Sequence, residues 1–216
     1  MNRYTLCYFS ATAMEIPSLS EGVRQYGESG GDIVVHARTQ AQLSDQSRQR
    51  AFVDQAVTSD VVIVTLHGGK ASFPAFDALV QALDKIPADR RPCLHIQPSG
   101  GDEDSVEAAR EHSPDFGTPV WDEIQRYLNH GGHVNYHQLL IYLHNHLFNT
   151  RIECGPAMAL AHEGIYHPDL PGIPALEDYL AQKIDPAKPT VGLWFYQTYW
   201  LNNNLAFVDA IIRAVE

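Results

Sequence analysis

Apolar and polar positions along the 216-residue chain switch repeatedly between two periods. Short apolar runs with β-branched residues predict strands at Thr5–Phe9, Asp32–Ala37, Asp60–Leu66 and Pro92–Ile96. Between them, apolar residues recur at helical spacing over Leu19–Tyr26, Asp45 to about Thr58, and Phe76–Leu83. A further helix through Val106 and Ala109 follows the stretch GGDEDS. The third strand, DVVIVTL, is apolar at almost every position, as a central strand covered on both faces should be. Strands alternating with helices imply a parallel sheet with helices on both faces.

The pattern changes at Thr118. Residues 118–150 read as helical on either side of Gly131-Gly132, which breaks the run, with Thr118 placed to cap and Pro119 at the first helical position. Residues 151–189 are proline-rich and weakly periodic, apart from a helical stretch at Ala175–Lys183. An apolar run, Val191–Phe195, then predicts a strand, and Ala206 onward a helix. The expected organisation is therefore a flavodoxin-like or Rossmann-like α/β domain over 1–117, a helical segment over 118–150, a connector over 151–189, and the first βα unit of a second α/β domain over 190–216. A parallel strand needs neighbours, so a lone strand here suggests an amino-terminal piece of something longer.

Composition narrows the class. A net charge of −11 argues against a nucleic-acid binder. No apolar run approaches the roughly 20 residues that cross a bilayer. The three cysteines, Cys7, Cys93 and Cys154, form no CxxC pair, which fits a reducing, cytoplasmic setting. No GxGxxG or phosphate loop follows a strand, so nucleotide binding has no local support.

In an open parallel sheet, ligands bind beyond the carboxyl ends of the strands. The loops SATAMEIPS and HGGKASFP occupy those positions. His67, Gly68 and Gly69 offer an imidazole beside closely approachable backbone, or else the glycines serve only the turn. Past the last apolar run, Tyr196 and Tyr199 offer flat aromatic surface and Asn202 and Asn203 a polar rim; the same aromatics could simply be core and rim. Among the eleven histidines, His133, His137 and His144 share one helical face. The position after His133 is Val134, so the zinc-protease base is missing, and the stripe reads as surface or interface histidines with no metal site assigned.

Two stretches carry a family resemblance. GIYHPDLPGI followed by PTVGLWFYQTYWLNNNLAFVDAIIRAVE resembles a region of the large subunit of cobaltochelatase, shared with the H subunit of magnesium chelatase. Upstream, RYLNHGGHVNYHQLLIYL is similar to the same family, with Gly132, Asn135, Leu140 and Leu143 in its pattern. The resemblance covers residues 118–216 and is only topological before them.

The resemblance implies part of the large, tetrapyrrole-binding subunit of an ATP-dependent ligase that inserts cobalt into a corrin precursor in cobalamin biosynthesis. A magnesium-inserting subunit acting on protoporphyrin is the nearest alternative, and a stand-alone flavodoxin-like binding or regulatory module the alternative from another class. It further implies AAA+ chelatase partners that hydrolyse the ATP, and further domains of the same subunit. Cobalt and tetrapyrrole would be substrates of the intact enzyme. No catalytic residue carries over onto this chain and no cofactor is assigned to it, so a tetrapyrrole would be met by His67, Gly68 and Gly69 or by the Tyr196–Asn203 loop.

Overall fold

A computed structural model describes residues 1–216. Its contacts divide the chain into two units, Met1–Met158 and Ala159–Glu216. In the first, four parallel strands β1 (Tyr4–Ser10), β2 (Ile33–Thr39), β3 (Val61–Leu66) and β4 (Cys93–Pro98) are ordered β2-β1-β3-β4. This is the opening order of a flavodoxin-like sheet, with the switch point between β1 and β3. Helices α1 (Ile16–Glu28), α2 (Gln46–Ala56), α3 (Phe76–Asp84) and α4 (Glu103–His112) alternate with the strands.

The two sheet faces carry separate cores. Cys7, Phe9, Val62, Val64 and Leu94 pack under α2, α3 and α4. Leu6, Tyr8, Val61 and Ile63 face the other way, where α1 is joined by α5 (Pro119–His130) and α6 (Gly132–Phe148). These two helices were expected to form a segment of their own. They belong to the first unit because α2, α3 and α4 share one face, and α1 by itself cannot cover four strands on the other. The break between them is as expected: Gly131 has φ +60° and Thr118 caps α5 through the Trp121 amide.

The contact between α1 and α6 depends on Gly22. A Cβ there would stand 2.7 Å from Cβ of Tyr136, closer than such atoms approach, so glycine lets the helices touch. Tyr4 reaches across to donate to the Leu140 carbonyl at 2.9 Å.

After α6 the chain doubles back without regular structure, yet residues 152–158 are tightly held. Asn145 binds both backbone groups of Ile152, at 2.9 Å and 2.8 Å. Gln138 accepts from the Gly155 amide at 2.8 Å. Asn135 accepts from the Met158 amide at 2.8 Å and donates to its carbonyl at 2.9 Å. Side-chain amides on one helix thus take the place of a neighbouring strand and satisfy the backbone of a strap lying along it.

The second unit holds α7 (Leu176–Lys183), a short α8 (Gln197–Leu201) and α9 (Ala206–Val215). Tyr166 donates to Asp209 at 2.7 Å and meets the Phe195 ring edge-on. Asp169 is clamped by Arg213 and Lys183, which hold its carboxyl far below the usual range. The helix expected from Ala206 forms, whereas Val191–Phe195 forms no strand, and the second unit contains no sheet for it to join. No helix is long and apolar enough to cross a membrane.

Candidate functional site

At the carboxyl ends of the strands, the face under α1, α5 and α6 turns polar. Register places Ser10, Thr65 and Gln97 side by side on β1, β3 and β4, all buried. This polar row crosses the switch point, where open parallel sheets bind ligands. Glu15, which precedes α1, reaches over it. Its Oε1 lies 3.0 Å from the Thr65 hydroxyl and 3.4 Å from that of Tyr8, and its Oε2 accepts from Thr12 at 3.1 Å. Tyr8 and Tyr136 share a hydroxyl contact of 2.9 Å. Burial pushes both phenols well above their ordinary range, so they stay protonated and a relay Tyr136 to Tyr8 to Glu15 can form.

The loop that brings Glu15 there is bent by Ala13, a non-glycine residue at φ +62°, whose amide is held by Ser10 Oγ at 2.7 Å. Farther along the row, Gln97 donates to Asn129 at 2.8 Å and pairs with His95 Nε2 at 3.0 Å. His95 is stacked on Trp121, and its Nδ1 is buried with no partner. Burial lowers its pKa to about 4, so the ring is neutral at neutral pH. Sequence reasoning passed over this row. The available signal was polar residues at alternate positions in strands buried on both faces, as in CLHIQP.

The HGG loop has a different role from that of an anion cradle. Gly68 and Gly69 sit at φ +83° and +90°, which supports the turn. Their amides, however, are already used. Gly68 donates to Asp102 at 3.2 Å, Gly69 to Ser105 at 3.1 Å, and Lys70 to Asp104 at 2.6 Å. A ligand carboxylate arriving here meets two aspartates. The His67 ring remains exposed at the loop's edge.

In the second unit the four expected residues separate into two groups. Tyr196 is 80% exposed, and its neighbour Trp194, not singled out from sequence, is 96% exposed. Tyr199 packs edge-on against Phe207, and Asn203 is exposed in a left-handed turn. Asn202 is buried and donates to the Thr198 carbonyl at 3.0 Å, so it shapes the loop. The most exposed aromatic rings of this segment are those of Trp194 and Tyr196.

The histidine stripe does not converge. His144 is buried against Tyr4 and Phe148, with Nδ1 3.1 Å from Thr150, so it is a core residue and not a surface one. His137 faces Ser29 at 3.4 Å. The groups able to gather round a cation are instead Cys93, Asp115 and His146, and His167, Asp169 and Glu216.

This architecture has a solved counterpart. The catalytic subunit of cobaltochelatase from Mycobacterium tuberculosis matches it with a TM-score of 0.54 and 18% identity, over 98% of this chain and 15% of that one. The chain thus has the fold of one portion of a chelatase subunit. Residues 125–216, from within α5 to the last residue, match the family described as CobN/Magnesium Chelatase. An uncharacterized protein of Methanocaldococcus jannaschii is 30% identical over 103 residues, covering 45% of this chain and 8% of that protein. The chain therefore spans a small fraction of the length of either relative.

Proposed function

We propose that the chain serves as part of the large subunit of a metal chelatase that inserts cobalt into a corrin precursor, with AAA+ partner subunits supplying ATP hydrolysis. The observation that carries this reading is the family match over residues 125–216, which takes in the Asn135 strap and the whole second unit. In this role, Trp194 and Tyr196 provide exposed aromatic surface for the macrocycle, with Tyr199 and Asn203 in the same segment, and the exposed His67 of the first unit is the alternative contact. On this reading the stretch contributes binding and docking, and metal insertion falls to the rest of the subunit.

The test is fluorescence quenching with a corrin and a porphyrin titrated separately against the protein. One loop supplies only part of a pocket, so affinity no tighter than roughly micromolar, about −8 kcal/mol, is expected. Trp194→Ala and Tyr196→Ala should each weaken binding several-fold. Corrin preference supports the cobalt reading, and porphyrin preference the magnesium one. No binding of either ring at high micromolar concentration would overturn this role. A binding module without a chelatase role is favoured by the polar row around Glu15, and Glu15→Gln leaving ring binding unchanged keeps the two readings apart.

A further inference from the structure

Three metal-ligating side chains from distant parts of the sequence meet at the amino-terminal edge of the sheet, opposite the strand ends that carry Glu15. Cys93 is the first residue of β4, Asp115 lies in the turn between α4 and α5, and His146 is in the last turn of α6. Their ligand atoms all lie within 4.8 Å of one another. The thiol of Cys93 stands 4.0 Å from Asp115 Oδ2, and this is the only hydrogen bond of either group; the His146 ring has none.

Each ligand rests on a fixed backbone. The Cys93 amide donates to the Asp60 carbonyl at 3.0 Å. The Asp115 carbonyl accepts from both the amide and hydroxyl of Thr118, at 2.9 Å and 2.7 Å, which locks the turn before α5. His146 follows Asn145, the residue that clamps Ile152 from α6.

We propose that Cys93, Asp115 and His146 form a binding site for a divalent transition-metal ion of the zinc or cobalt kind. One thiolate and one carboxylate balance the charge of the ion, and three protein ligands leave a fourth position open to water or an exchanging ligand. The thiolate selects against magnesium and calcium, which take oxygen ligands. With metal–ligand bonds of about 2.0–2.3 Å, tetrahedral ligand atoms stand ~3.5 Å apart. Small side-chain rotations of Cys93 and Asp115, which stand 4.0 Å apart, and of the exposed His146 supply that closure. Coordination replaces the Cys93 S–H bond by an S–metal bond and releases the proton to water.

The other cluster, His167, Asp169 and Glu216, lacks this freedom. Arg213 and Lys183 already neutralise its carboxylates, so an entering cation would have to displace them. The proposed site is also independent of the chelatase reading, because it stands or falls without any tetrapyrrole.

Titration of the reduced, metal-free protein with Co(II) tests it directly. One equivalent should produce a near-ultraviolet sulfur-to-cobalt charge-transfer band, bleached by Zn(II) and unaffected by excess Mg(II). Cys93→Ser should abolish the band, and Asp115→Asn and His146→Gln should weaken binding at least tenfold. Absence of the band at saturating Co(II), or its persistence in Cys93→Ser, overturns the proposal. His146 is exposed and its replacement leaves the core intact, so unchanged affinity in a folded His146→Gln protein overturns it as well.

Discussion

His95 concentrates the electrostatic cost of the polar row into one side chain. Its folded pKa of about 4 lies below the unfolded value near 6.5, because burial penalises the imidazolium and only Gln97 opposes this. The unfolded chain therefore binds the extra proton first as the solution is acidified. The stability contributed by the neutral ring is complete above about pH 6.5 and is lost between that value and pH 4, roughly 3 kcal/mol in all. Urea unfolding at pH 7 and pH 5 should show a fall in wild-type stability that is much smaller in His95→Leu. His137 and His144, also held low by burial, act in the same direction, so the difference between the two proteins isolates His95. An identical pH dependence in wild type and variant would mean that His95 is solvated.

At the scale of elements, α6 has two functions that its sequence shows unequally. Of the apolar face visible from spacing, Leu140 and Leu143 are fully buried, while Leu147 is partly buried against the same core. Its second function belongs to Asn135, Gln138 and Asn145, which hold the strap. Nothing in a helical period distinguishes a solvated amide side chain from one that binds a backbone 23 residues away, as Asn135 does with Met158. Asn135 is fully buried and makes three hydrogen bonds, one of them to the Gly131 carbonyl at 2.7 Å. At about 1 kcal/mol each, with backbone groups left unpaired, Asn135→Ala should cost roughly 2–4 kcal/mol. Denaturant unfolding measures this, and proteolysis should begin to cut near Met158. A loss under about 0.5 kcal/mol would show that water replaces the amide freely.

Across the whole molecule, what could be read from sequence follows the range of the interactions involved. The four strands, the crossover helices and the break at Gly131 depend on local period and local φ, and each lies within a few residues of its expected place. Assignment of α5 and α6 to the first unit depended on counting how much sheet one helix can cover, which only the strand order reveals. The Glu15 row depended on register between three strands, and the Cys93 cluster on three segments separated along the chain, so neither has a local signature. His67, Gly68 and Gly69 were visible as a turn but not as donors already used by Asp102, Asp104 and Ser105, a pairing that spans more than thirty positions.

The same division of range sets how the two units should breathe. Val61–Leu66 pairs with β1 on one side and β4 on the other, and every one of its residues is buried. Its amides are released only when the sheet opens, which costs a large part of the global stability. Residues 190–196 donate no backbone hydrogen bond to a strand or helix, and Val191, Trp194 and Tyr196 stand in solvent. Hydrogen exchange followed by mass spectrometry should find the 190–196 amides exchanging at least about a thousandfold faster than those of Val61–Leu66, a gap of roughly 4 kcal/mol in opening free energy. Adding a tetrapyrrole should slow the first group and leave the second unchanged, because the ring would lie on Trp194 and Tyr196. Equal protection of the two segments without ligand would mean that residues 191–195 find a strand partner in solution, and the exposed aromatic surface would not exist.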